Sequence, residues 1–408
     1  MSPPYSLRPY QEQCIDRIRN AVAQHSRAVC VVMPTGAGKT RTLGEIVRRS
    51  VAKGRSCLWL AHRGELVDQA VSALASLGLQ PGAISASASA APQPFAPVQV
   101  ATVQTLIARK LRPPAAIIVA DEAHHYVAAT FGEVIRDYPC ALVFGPTATP
   151  ERSDGHGLGA LFTRLVVGVR VRELIAGGYL VPAELIAPRE KLRRWQIAQR
   201  PVDAYLQHAR GRRAIVFSPT VALAETHAEE FRAAGLTASV VTGETPWNER
   251  REAFDALRSG AINALVNVYV ATEGFDLPEI DCVILARGFG SAGLYIQCVG
   301  RALRPAPGKT NAIVLDLTGT SHVHGHPEDD RQYGLEGRGI RKADDANVDQ
   351  SYCRVCGAPI APGEACTECG TQPREPLDLT ITGEKLVPYA RKRAEGDEAR
   401  AATLARWI

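Results

Sequence analysis

AVCVVMPTGAGKTRTLGEIVRRSV, residues 28–51, joins a β-branched run to a helical pattern through a glycine-bearing loop, and its reading decides the fold. A strand that ends in such a loop and passes straight into a helix presents backbone N–H groups and a helix N-terminus to an anion. Gly36 and Gly38 let the backbone of Thr35, Gly36, Ala37 and Gly38 approach a phosphate closely. Lys39 is placed to neutralise the β- and γ-phosphates, and the Thr40 hydroxyl to ligate Mg2+. The longer form of this phosphate loop carries glycine where this chain has Met33, so the assignment rests on the strand, loop and helix together.

Outward from this unit, short apolar runs keep alternating with helical stretches. CLWLAH is followed by ELVDQAVSALASL, in which Leu66, Val67, Ala70, Val71, Leu74 and Leu77 recur at helical spacing; VQVATV, AAIIVADEA and ALVFGPTAT come after it. This is the pattern of an α/β protein with a parallel sheet covered by helices on both faces. The Ser/Ala/Pro stretch from Ser85 to Pro97 is expected to be a surface loop. A second alternating series starts at Arg213 and runs through AIVFS, TASVVTG, NALVNVYV, DCVILAR and NAIVLDL, which predicts a second parallel-sheet domain. Between the two series, Val181 to Arg212 carries Pro182, Pro188 and Pro201 and reads as an interdomain connection.

The 408 residues suit such a division, and 46% hydrophobic against 22% charged residues exclude a disordered or fibrous chain. No apolar run is long enough for a membrane span, and the first residues, MSPPYSLRPYQEQC, lack the basic and apolar regions of a signal peptide, so a cytoplasmic location and no membrane partner are expected. The net charge of +5 permits a nucleic-acid partner without requiring one.

Two further stretches carry chemistry. DEAH, Asp121 to His124, ends the apolar run AAIIVA, which places its acids at the carboxyl edge of a sheet, where open α/β folds hold ligands. Asp121 is a candidate for the Mg2+ shell and Glu122 for orienting and deprotonating an attacking water. Thr147 and Thr149 in GPTATP follow another strand, where their hydroxyls can bond to the DEAH carboxylates.

Taken in order, these stretches resemble the superfamily 2 helicases, the DEAD/DEAH-box group that includes restriction motor subunits, XPB-like helicases and RadD-like repair helicases. LRPYQ (Leu7–Gln11) is similar to the adenine-reading Q motif, MPTGAGKT to motif I, WLAHRGELVDQA to motif Ia, VATVQTL to motif Ib, DEAH to motif II and GPTATP to motif III. AIVFSPT resembles motif IV, NVYVATEGFDLP (Asn267–Pro278) motif V and QCVGRALR (Gln297–Arg304) motif VI.

The resemblance covers residues 5 to 320 and implies two tandem RecA-like domains, at 1–185 and 186–345, with ATP and Mg2+ between them. It implies that Arg301 and Arg304 are arginine fingers from the second domain, that Gln297 and Gln11 face the nucleotide, and that Glu273, Gly274 and Asp276 join Thr147 and Thr149 in coupling it to the nucleic-acid track. Arg63, Thr102, Gln104 and Thr272 are the implied contacts to that track, positioning a strand without reading its sequence. Tyr269 departs from the small or acidic residue that motif V usually has there.

Cys353-x2-Cys356-x9-Cys366-x2-Cys369 has the spacing at which two knuckles present four thiolates to one Zn2+. A small C-terminal zinc ribbon is expected at 346–375, with a tail at 376–408, and ribbon or tail could engage a protein partner. Cys14, Cys30, Cys57, Cys140, Cys282 and Cys298 stand singly and read as reduced core thiols. His322, His324 and His326 read as part of a polar loop in preference to a metal site. The function that follows is an ATP-dependent helicase or translocase, on DNA in preference to RNA, in repair, replication or defence. The alternatives are a nucleic-acid-stimulated remodeller that does not unwind and a zinc-dependent adaptor on a degenerate motor.

Overall fold

The strand Cys57–Ala61 sends Cys57, Trp59 and Ala61 into one apolar layer and Leu58 and Leu60 into another, and every one of these side chains is buried. Such a strand, apolar at consecutive positions because both faces are covered, is the signature of a parallel sheet between helices. In a computed structural model the described residues are 6–62, 64–85, 93, 95–126, 128–150, 156–193, 195–268, 277–336, 351–352, 359–360 and 379–389.

The first domain contains α1 (Pro9–Ala23), β1 (Ala28–Val32), α2 (Lys39–Val51), β2 (Cys57–Ala61), α3 (Gly64–Ser76), β3 (Pro81–Ile84), β4 (Val98–Thr102), α4 (Val103–Ala108), β5 (Ile117–Ala120), α5 (Ala128–Arg136), β6 (Leu142–Thr147) and β7 (Arg164–Val167). Its strands pair in the order β3-β4-β2-β5-β6-β1-β7, all parallel. Helices α1, α2 and α3 cover one face through Cys14, Ile18, Leu43, Val47, Val67 and Leu74, while Leu106, Phe131 and Val134 cover the other.

Then come α6 (Val171–Ala176), β8 (Ala183–Ala187), β9 (Gln196–Ile197), α7 (Pro201–His208), β10 (Ala214–Phe217), α8 (Val221–Ala233), β11 (Ala238–Val241), α9 (Trp247–Ser259), β12 (Ala264–Asn267), β13 (Cys282–Leu285), α10 (Ala292–Ala302), β14 (Ala312–Asp316), α11 (Ser321–His324), β15 (Ser351–Tyr352), β16 (Pro359–Ile360), β17 (Thr380–Ile381) and β18 (Val387–Pro388). The second sheet has the order β11-β12-β10-β13-β14-β8-β18, parallel except for β18 against β8. Phe217, Phe254, Leu257 and Val299 of this domain lie in the same apolar cluster as Leu43 and Val67 of the first, so the two domains share a continuous core.

The stretch expected to be a connection supplies β8 and α7 instead. Pro182 and Pro188 flank β8 without interrupting its ladder, and the Pro182 carbonyl accepts from Ala312 N at 2.9 Å. Residues 379–389, expected within the tail, return to the second domain: β18 extends its sheet, Leu386 is buried, and the Tyr389 hydroxyl donates to Ser321 O at 3.2 Å. Cys140 is exposed, unlike Cys14, Cys30, Cys57, Cys282 and Cys298, which are buried. The histidines have different hydrogen-bond partners, although the His322 and His326 rings both pack against Tyr389: His322 Nε2 meets Pro188 O at 2.8 Å, His324 Nε2 meets Phe289 O at 2.7 Å, and His326 Nδ1 accepts from Glu328 N at 3.3 Å. Among the described residues no helix is long and apolar enough to cross a membrane.

Candidate active site

Gly36 and Gly38 carry the loop between β1 and α2 with φ of 84° and 77°, values that favour glycine. A Cβ at Gly38 would lie 2.6 Å from Gln11 Nε2, so the loop is held against α1. There the Tyr10 hydroxyl and the Gln11 amide both donate to Ala37 O, at 3.0 and 3.2 Å, while Gln11 Oε1 accepts from Arg8 N at 3.0 Å. Gln11 is therefore occupied on both ends and only 2% exposed. Gln11 and Ala37 brace the loop from behind, whereas Thr35, Gly36, Gly38, Lys39 and Thr40 line the cleft in front.

β5 delivers Asp121 and Glu122 to the same place. Glu122 sits in the left-handed region, φ 50° and ψ 59°, a conformation that is costly for a side chain with a Cβ and that clusters at functional sites. Its Oε1 lies 3.3 Å from Lys39 Nζ. Asp121 accepts from Glu122 N at 3.0 Å. Burial and then the neighbouring Glu122 charge push the Asp121 carboxyl well above the usual carboxylate range, against the pull of Lys39. The donor set of a buried carboxylate and the Thr40 hydroxyl suits a hard divalent cation such as Mg2+, whose charge would keep Asp121 ionised.

α10 of the second domain closes the cleft. Gly300 permits the approach, since a Cβ there would meet Thr35 Cβ at 2.8 Å, and a Cβ at Gly36 would be 3.3 Å from Arg304 Cγ. Arg301, 6% exposed, and Arg304 line the cleft with Gln297. Gln297 Nε2 also lies 3.2 Å from His124 Nε2, and His124 Nδ1 lies 3.0 Å from Thr147 Oγ1. The Thr147 hydroxyl donates to Thr149 O at 2.7 Å, so it accepts from His124, which puts the imidazole proton on Nδ1 and leaves Nε2 to accept from the Gln297 amide. Arg8, Tyr179 and Pro305 also line the ≈ 500 Å³ cleft, with the Arg8 guanidinium 4.6 Å from the centre of the Tyr179 ring.

The structure thus brings together Thr35, Gly36, Gly38, Lys39, Thr40, Asp121, Glu122, Gln297, Arg301 and Arg304. Thr102 is apart from them: it caps α4, accepting from Thr105 N at 3.3 Å, and is buried, while Gln104 is exposed on that helix. Arg63, Tyr269, Thr272, Glu273, Gly274, Asp276, Cys353, Cys356, Cys366 and Cys369 lie outside the described residues. Arg8, Tyr179, His124 and Gly300 were not singled out from the sequence. Arg8 lies within the Q-like motif and could have been suspected; Tyr179 has no local signal at all.

The type III restriction enzyme res-subunit family matches residues 4–152, and the helicase conserved C-terminal domain family matches residues 198–306. A 51.5 kDa protein of a Lactococcus phage is 30% identical over 363 residues, covering 83% of this chain and 76% of that protein. A DNA 3'-5' helicase XPB of Kineococcus radiotolerans is 29% identical over 345 residues, 74% of this chain and 58% of the relative, so the chain spans little more than half of that helicase. Among solved structures, the ATP-dependent type ISP restriction-modification enzyme LlaBIII bound to DNA superposes with a TM-score of 0.61 at 18% identity, over 77% of this chain and 28% of that one. This likeness shows the tandem RecA-like fold.

Proposed function

Because the chain belongs to the superfamily 2 helicases, which hydrolyse ATP to act on nucleic acid, we propose that it is an ATP-driven motor that translocates on DNA. The observation that carries this reading is the cleft itself: the phosphate loop, Asp121 and Glu122 come from one domain, Gln297, Arg301 and Arg304 from the other. Hydrolysis in such a cleft depends on the two domains being together, which is what a motor needs to convert turnover into movement.

Lys39 and the backbone N–H groups of Thr35, Gly36 and Gly38 hold the β- and γ-phosphates. Glu122 orients a water and takes its proton, and the Arg301 and Arg304 guanidiniums stabilise charge on the transferred phosphoryl group. Mg2+, when bound at Asp121 and Thr40, supplies charge neutralisation to the phosphates. Arg8 and Tyr179 offer stacking surface to the base. DNA is favoured over RNA because the matching family model is a restriction subunit and the XPB relative is named a DNA helicase. Among the described residues only α6 stands between β7 and β8, which keeps translocation without strand separation as the second reading.

Zn2+ at Cys353, Cys356, Cys366 and Cys369 belongs to the same proposal. What supports it is the cysteine spacing; among the described residues β15 and β16, which flank the first CxxC in the sequence, pair antiparallel, Ser351 with Ile360 and Tyr352 with Pro359. A closed four-thiolate site is structural, so the ribbon is proposed as a nucleic-acid or protein contact. ATPase rates measured with single-stranded DNA, duplex DNA and RNA side by side test the main reading. Stimulation by RNA alone would refute the choice of DNA, and no turnover with any of the three would refute the motor.

A further inference from the structure

The nucleotide cleft does not end at the phosphate loop. Thr40, Leu66, Gln69 and Asp121 line it and also line a second cavity, ≈ 700 Å³, that continues between α3 of the first domain and α9 of the second. Thr40 and Asp121 are the residues proposed to hold Mg2+ against the phosphates, so the second cavity opens from the phosphate part of the cleft. We propose that this cavity is the route by which inorganic phosphate leaves after hydrolysis while ADP is still bound. The proposal rests on the ATPase reading given above.

Cutting the bond between the γ-phosphorus and the bridging oxygen leaves phosphate beside Lys39 and Glu122, with ADP still in the cleft. Departure past the nucleotide would require ADP to go first. Departure the other way requires space and a path that neither repels nor traps an anion, and α3 and α9 provide both. α3 lines the passage with Leu66, Gln69, Ala70, Ser72, Ala73 and Ser76, none of them charged. Across it, Arg251 and Arg258 of α9 are both paired with Asp255, Arg251 Nε at 4.0 Å from Asp255 Oδ2. Arginines offset by a shared carboxylate attract an anion weakly, and conduction needs binding strong enough to admit an ion yet weak enough to release it. Trp247, 54% exposed, also lines the passage and begins α9.

The test separates three rates in one preparation: hydrolysis by chemical quench in a single turnover, phosphate release with a fluorescent phosphate sensor, and ADP release with a fluorescent ADP. Ala73→Trp places bulk in the passage without touching the nucleotide cleft and is expected to slow phosphate release about tenfold, with hydrolysis and ADP release within about twofold. Arg251→Glu, at a side chain 74% exposed and therefore tolerant of change, is expected to slow phosphate release at low ionic strength and to lose that effect at high salt. Unchanged phosphate release in both variants overturns the route, as does an equal slowing of all three rates in Ala73→Trp, which would mean impaired domain closure. Absence of hydrolysis in the unmodified protein would instead show that the ATPase reading is at fault, and the route would fall with it.

Discussion

His124 Nε2 accepts a hydrogen bond from the Gln297 amide at 3.2 Å, and through Nδ1 the same ring donates to Thr147 Oγ1 at 3.0 Å. One imidazole therefore joins the DEAH acids, the strand β6 and the second domain's helix α10, with both nitrogens committed. His124 Nδ1 is also 3.5 Å from Glu122 Oε2, so a shift of α10 is felt next to the group that activates water.

Gln297→Ala and His124→Ala are accordingly expected to lower kcat about tenfold, the equivalent of about 1.4 kcal/mol, with ATP affinity nearly unchanged. The double variant should be no worse than either single one, because both remove the same link. Additive losses in the steady-state ATPase assay would show that the two residues act separately.

The ion pair between Lys39 and Glu122, 3.3 Å, occupies the lysine before any phosphate arrives. Glu122→Gln removes that competition together with the base. It is expected to bind ATP more tightly than the unmodified protein, by roughly the few-fold effect of a partly exposed pair, while turnover falls about 100-fold or more. Lys39→Ala should instead weaken binding. Equilibrium titration with a fluorescent ATP analogue and an ATPase assay check both; a Glu122→Gln variant with normal turnover would remove Glu122 from its role.

Much of this site was legible in the sequence because its parts are local. A strand, a loop and a helix are contiguous in residues 28–51, and DEAH follows its strand directly, so position on a sheet edge could be read from order alone. What was not legible depends on contacts between distant residues. Gln11, expected to face the nucleotide, donates its amide to Ala37 O, a contact that exists because the loop curls back onto α1. Thr102 looked like a phosphate contact and has its hydroxyl turned to the N-terminus of α4, an ordinary use for threonine at that position. β18 was invisible because a two-residue strand far along the chain has no periodicity to show, and only β8 gives it a partner.

Arg301 and Arg304 reach the cleft because Gly300 lets α10 sit against Thr35. Arg301→Ala or Arg304→Ala is expected to leave ATP binding near normal and to lower kcat by about 1000-fold, since an arginine supplied from the other domain acts mainly on the transition state. Gly300→Ala should give a similar kcat defect with both arginines present, as the added methyl meets Thr35. Loss of affinity alone in an arginine variant would assign that residue to binding.

For the cysteine cluster, Cys366→Ser with Cys369→Ser is expected to abolish zinc retention and weaken nucleic-acid stimulation while sparing basal ATP hydrolysis, because every cleft residue precedes the cluster in the chain. Metal analysis of the full chain purified without chelator, before and after the substitutions, decides it. No zinc in the unmodified protein would refute the site.

His227 gives a prediction about acid stability. It is 3% exposed on α8, its Nδ1 lies 2.9 Å from Ser218 Oγ, and burial pushes its pKa down from 6.5 to about 4. The folded protein keeps the ring neutral, whereas the unfolded chain takes up a proton below pH 6.5. Stability from this group is therefore complete above about pH 6.5 and declines as the pH falls towards 4, by about 3 kcal/mol in all at 1.36 kcal/mol per pH unit. His227→Asn keeps a hydrogen-bonding partner for Ser218 but cannot titrate, so its unfolding free energy should fall less steeply over that interval. Urea denaturation of both proteins at pH 7 and pH 5 measures the difference. Parallel losses would show that His227 does not contribute to acid sensitivity, and a steeper loss in the variant would reverse the sign argued here.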